Sequence, residues 1–89
     1  MVIKFSDELT KEFIQIKKKD PILIKKIEKQ LILFKGNPKH PSLRTHKLSG
    51  KLNNMWSISI TMNIRMIYIQ RYGDEAYFVD IGTHDQVYK

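Results

Sequence analysis

Two apolar runs meet near Met62 and Asn63, and their patterning predicts the centre of the fold. In the first run Trp56, Ile58 and Ile60 alternate with Ser57, Ser59 and Thr61. That period of two marks a strand with one buried face and one polar face. The second run, residues 64–69, is apolar on both sides apart from Arg65. An arginine in such a strand either sits at the wet end beside the turn or faces a site that wants a fixed positive charge. Turn length separates the two faces. A two-residue turn at Met62 and Asn63 pairs Arg65 with Ile60, on the Trp56/Ile58 side, whereas a longer or bulged turn sets it beside Ser59 and Thr61.

Upstream the period becomes helical. After a short apolar strand at residues 2–5, Ser6 is an N-cap, with Asp7 and Glu8 in the first turn where the helix dipole favours negative charge. Leu9, Phe13 and Ile16 recur at helical spacing, and Lys17, Lys18 and Lys19 suit the C-terminal end. Asp20 and Pro21 start a second helix, with Ile24, Ile27, Leu31 and Phe34 as its buried stripe and Gly36 as its C-cap. A proline-rich loop at residues 37–41 follows. Residues 43–48 read as a strand ended by Ser49 and Gly50. Beyond the central hairpin come a turn at Tyr72, Gly73 and Asp74 and a last strand at residues 76–81. Tyr77, Val79 and Ile81 share one face of that strand, and Gly82 breaks it. The order is β-α-α-β-β-β-β: an α+β domain with two N-terminal helices packed on a largely antiparallel sheet.

Eighty-nine residues make one domain, spanning 1–89. There is no cysteine, which excludes a disulfide framework and a thiolate metal site. Neither a signal-peptide core nor a membrane-length apolar run is present, so a cytoplasmic protein that does not enter the membrane is expected. Charge sharpens the picture. Residues 1–51 hold thirteen of the sixteen Lys/Arg and five of the nine acids, a balance of +8, while the remainder comes to −1. A basic domain of this kind expects a polyanion or an acidic protein partner.

The three histidines make no metal motif. His40 and His46 have no carboxylate between them, and His84 is distant in sequence. His40 lies in the proline-flanked loop, His46 near the edge of the second strand, and His84 after the last strand.

Several segments together carry a family likeness. His46-Lys47-Leu48-Ser49-Gly50, Trp56-Ser57, Ile60-Thr61, Arg65-Met66-Ile67-Tyr68, Ile81-Gly82-Thr83-His84 and Val87-Tyr88 resemble the RelE/ParE toxin superfamily of type II toxin–antitoxin systems. The strand-turn-strand pattern is similar to the YoeB-type branch. The His-x-Leu-x-Gly segment and the Gly-Thr-His near the end are similar to the YafQ type. The resemblance implies an mRNA interferase that cuts messenger RNA in the ribosomal A site and inhibits translation without a cofactor. It also implies a cognate acidic antitoxin and, through that antitoxin, operator DNA. Two other readings share the fold: a non-enzymatic poison of DNA gyrase of the ParE kind, and a degenerate toxin acting only as a binding module.

The implied chemistry needs few parts. The RNA 2′-hydroxyl attacks its own phosphate, so the protein must align it, remove a proton, stabilise charge on phosphate and protonate the leaving 5′-oxygen. By the resemblance, Arg65 is the phosphate-binding arginine, His84 the C-terminal catalytic histidine and His46 the histidine of the YafQ branch. His84 is cast as general acid and His46 as general base, an assignment that can be reversed. Ser42 stands where the YoeB-type glutamate base would fall, and Ser59 and Asn63 where the YafQ-type second histidine and aspartate would. Lys47 and Lys51 are candidate phosphate contacts, and Trp56 and Tyr88 candidate base-stacking residues.

Overall fold

The computed structural model describes residues 1–48, 54–83 and 87. Strand β1 (Val2–Phe5) leads straight into α1 (Asp7–Lys19), because the Ser6 hydroxyl accepts the Leu9 N–H at 3.1 Å. A single residue later α2 (Pro21–Gly36) begins, with the Asp20 carboxylate accepting the Leu23 N–H at 3.1 Å. The helix runs through Gly36, and Asn37 at φ −149° ends it by donating its N–H to the Leu33 carbonyl at 2.8 Å. The glycine cap expected at Gly36 is therefore not used.

Four further strands complete the sheet: β2 (His46–Lys47), β3 (Met55–Ser59), β4 (Ile64–Arg71) and β5 (Glu75–Thr83). Their spatial order is β1-β5-β4-β3-β2, with β1 parallel to β5 and every other pair antiparallel. Gly73, at φ +65°, supplies the left-handed residue of the β4–β5 turn.

Three further sequence expectations change. The strand expected at residues 43–48 shrinks to His46–Lys47. Pro41–Leu43 forms a 3-10 turn instead, started by proline and capped by His40 Nδ1, which accepts the Ser42 N–H at 3.1 Å. The second concerns the faces of β5. Ile67 pairs with Asp80 and Tyr68 with Phe78, which leaves Val79 as the extra residue of a β-bulge. That insertion resets the alternation, so Phe78 and Ile81 both enter the core, and Ile81 does not share a face with Tyr77. Third, Gly82 does not break β5, because it stays in register opposite Arg65.

The core lies between the helices and one sheet face, where Leu9, Ile27, Phe34 and Leu43 meet Ile58, Met66, Tyr68, Phe78 and Ile81. An aromatic cluster spans every layer. Phe34 meets Tyr68 edge-on at 5.1 Å and Phe78 at 5.5 Å, and Phe5 links Phe78 (6.0 Å) to Phe13 (5.3 Å). Among the described residues no helix is long and apolar enough to cross a membrane.

Phe34 is fully buried, whereas Ile32 on the outer side of the same helix is 75% exposed. Phe34→Ala is expected to lower the unfolding free energy by about 3–5 kcal/mol, and Ile32→Ala to change it by no more than about 0.5 kcal/mol, in equilibrium urea titrations. Burial also pushes the Tyr68 hydroxyl up to about 12. Its folded pKa exceeds the unfolded value near 10, so the stability it contributes is complete below about pH 10 and is lost as pH climbs toward 12. Tyr68→Phe should flatten that part of the alkaline stability profile, and an unchanged slope would contradict the assignment.

Candidate active site

The site begins with a turn. Residues 60–63 connect β3 to β4, and Thr61 Oγ1 accepts the N–H groups of Asn63 (3.2 Å) and Ile64 (3.0 Å). The Ser59 hydroxyl donates to the Thr61 carbonyl at 2.8 Å, and the Ile60 N–H to the Ile64 carbonyl at 2.9 Å. This loop is longer than a two-residue turn, and it sets Ser59 opposite Arg65 and Ser57 opposite Ile67. Gln30, only 9% exposed, donates from Nε2 to the Ser59 carbonyl at 2.8 Å and ties α2 to the hairpin. Arg65 thus emerges on the serine face of the sheet, away from the helices.

Its guanidinium is held in a fork of neutral acceptors. Nε and Nη2 donate to the Ser57 hydroxyl at 3.1 and 3.0 Å, and Nη2 also donates to the Arg44 carbonyl at 2.8 Å. That carbonyl is aimed by an unusual backbone. Arg44 ends the 3-10 turn in the left-handed region (φ 46°, ψ 46°), which costs a non-glycine residue about 1–2 kcal/mol. Among the described residues no carboxylate forms an ion pair with Arg65, and no hydrogen bond engages Nη1. The positive charge is therefore fixed in direction and, among the described residues, not neutralised. Gly82 lies directly across from Arg65 on β5 and itself adds no side chain there. Asp80 accepts the Ile81 N–H at 2.9 Å, and its charge acts on Glu12, whose carboxyl is pushed up by burial first and by Asp80 second.

His46 pairs with Ser57, so register alone places it on the same face as the residue that grips Arg65. Lys47 and Trp56 pair with each other, and Trp56 also pairs with Tyr68, which sets both on the helix side of the sheet. There Lys47 Nζ sits 5.9 Å from the centroid of the Trp56 ring. The structure thus brings His46 and Arg65 to one face and leaves Lys47 and Trp56 on the other. Lys51, His84 and Tyr88 lie outside the described residues. Among the described residues no group of three or more His, Asp or Glu is arranged to hold a metal ion.

Two residues of the site were not singled out in the sequence. Ser57 was legible as the polar side of an alternating strand, although its role as acceptor was not. Arg44 carries no signal at all, because its part is played by a carbonyl and a backbone angle.

The family model described as the bacterial toxin of type II toxin–antitoxin systems, YafQ, matches residues 1–89. No curated protein matches the chain in sequence. Among solved structures, the YoeB/ParE toxin from Agrobacterium tumefaciens is similar at a TM-score of 0.78 and 19% identity, covering 94% of this chain and 99% of that one. YafQ from E. coli strain BL21(DE3) is similar at a TM-score of 0.75 and 17% identity, covering 98% and 97%. A chain of the heterotetrameric YoeB–YefM toxin–antitoxin complex from Staphylococcus aureus is similar at 0.76 and 20%, covering 94% and 97%. At such identities these structural likenesses show the fold alone.

Ser57→Ala removes the oxygen that takes two guanidinium N–H groups. The Arg65 Nε–H resonance is expected to be resolved in the native chain and to broaden or vanish in the variant, with the backbone amide spectrum retained. An equally sharp resonance in Ser57→Ala would show that the serine does not hold the guanidinium.

Proposed function

The chain belongs to the YafQ family of bacterial toxins of type II toxin–antitoxin systems, and from that premise we propose that it is an endoribonuclease that cleaves messenger RNA on the ribosome. The observation that carries this reading is the Arg65 guanidinium, gripped by Ser57 and Arg44 without a counter-ion among the described residues, on the face where His46 also stands. A planar, permanently charged fork matches the phosphate oxygens whose charge grows during in-line attack.

The substrate brings its own nucleophile. As the 2′-oxygen bonds to phosphorus, its proton passes to a neutral imidazole, for which His46 is the candidate. The bond from phosphorus to the 5′-oxygen breaks, and a protonated imidazole, for which His84 is the candidate, gives that oxygen its proton. The products are a 2′,3′-cyclic phosphate and a 5′-hydroxyl. Arg65 acts by aligning the phosphate and taking up the added negative charge. An acidic antitoxin is the partner that would silence this basic toxin, in keeping with the YoeB–YefM complex of a similar chain.

Cleavage of a defined message on purified ribosomes tests the reading. Arg65→Gln should lower the single-turnover rate by about 10²–10³-fold, and Arg65→Lys by less, because the charge survives while the fork is lost. His46→Ala and His84→Ala should each cost about 10²–10⁴-fold, and the native pH–rate profile should be bell-shaped, since one imidazole must be neutral and the other charged. Growth arrest that persists undiminished in all three of Arg65→Gln, His46→Ala and His84→Ala would leave a non-enzymatic poison as the function.

A further inference from the structure

A cleft of about 370 Å3 opens where the 3-10 turn meets the sheet edge, lined by Lys39, His40, Pro41, Arg44, Thr45 and Trp56. Its size lies within the roughly 300–1,000 Å3 of small-ligand sites. Among the described residues no carboxylate lines it, and its polar groups are biased toward donation. His40 Nδ1 accepts the Ser42 N–H at 3.1 Å and lies 2.9 Å from the Ser42 hydroxyl, so the proton of the neutral ring is carried by Nε2. The Thr45 hydroxyl donates to the Pro38 carbonyl at 3.2 Å, bracing the loop that carries Lys39 and His40. Trp56 and Pro41 add flat, apolar wall.

Arg44 joins this cleft to the site described above. Arg44 lines the cleft, and its carbonyl holds Arg65 Nη2 at 2.8 Å. Arg65 and Trp56 stand on opposite faces of the sheet, so a chain that places a phosphate on Arg65 reaches the cleft around the β2 edge, past Arg44.

We propose that this cleft is a nucleotide subsite, which takes one base and its phosphate from the single-stranded RNA whose scissile phosphate rests on Arg65. The inference rests on the ribonuclease reading and adds to it where the neighbouring nucleotide goes. Cationic groups meet the phosphate, and the tryptophan face meets the base, the combination by which single strands are bound without a duplex. An acidic peptide would satisfy Lys39 and Arg44 equally well, but its carboxylates would gain nothing from the Trp56 and Pro41 walls.

Trp56 is the only tryptophan in the chain, so its emission reports on the cleft directly. The probe is a short single-stranded RNA carrying 2′-O-methyl groups throughout, which the toxin cannot cleave. Its binding, followed by the anisotropy of an end label, should run in parallel with quenching of Trp56. Arg44→Gly keeps the left-handed backbone and the carbonyl that holds Arg65 but removes the guanidinium. That variant and Lys39→Ala should each weaken RNA binding by roughly tenfold. RNA that binds by anisotropy but leaves Trp56 emission untouched, or binds both variants with native affinity, overturns the subsite and spares the ribonuclease reading. Absence of any RNA binding overturns the subsite, while cleavage on purified ribosomes decides the ribonuclease reading separately. Quenching of Trp56 by a poly-glutamate peptide at concentrations as low as the RNA requires would make the cleft an acidic-protein site and overturn the proposal.

Discussion

Everything at the site depends on one alignment, Ser59 opposite Arg65. Strand side chains alternate, so a slip of one residue would carry Arg65 under the helices and push Met66 and Tyr68 into solvent. Both ends of the hairpin resist that slip. At the tip, Thr61 Oγ1 collects two backbone N–H groups and defines the loop length. Along the strands, Ile58 and Met66 pair on the helix side and are both fully buried. The apolar core therefore acts on the chemistry at a distance, since burying Met66 presents Arg65.

How Arg65 is held matters as much as where it points. A carboxylate partner would have anchored the guanidinium more firmly but cancelled the field that an anionic ligand must feel. A serine hydroxyl and a peptide carbonyl orient it through dipoles without cancelling its charge. The arrangement also explains the strained Arg44. The carbonyl that reaches Nη2 belongs to a residue in the left-handed region, where the 3-10 turn gives way to the edge strand. Backbone strain and side-chain alignment are two ends of one hydrogen bond.

The positive charge elsewhere has a different character. The lysines of α1 and α2 are exposed and make no ion pair among the described residues, which suits long-range attraction rather than a shaped contact. Such a field draws RNA and an acidic protein alike. Discrimination between them has to come from the fixed geometry around Arg65 and the sheet edge.

The sequence by itself determined the two helices. Ser6 and Asp20 cap their helices through side-chain oxygens that compete for backbone N–H groups only within a few residues, and Ile27 and Phe34 recur at a spacing that only a helix brings to one face. These are local rules, and they held. What depended on contacts between distant segments was decided by the tertiary structure. The bulge at Val79 turns Ile81 inward because β4 supplies one residue fewer than β5 across that stretch. Lys47 and Trp56 fall on the far side from Arg65 because pairing, not composition, assigns a face. The face of Arg65 itself was open to two readings until the hairpin loop was seen, and its grip by Arg44 arises from a backbone angle that no side chain announces. Local chemistry writes periodicity into the chain, whereas register and carbonyl direction exist only once strands that are far apart in sequence have met.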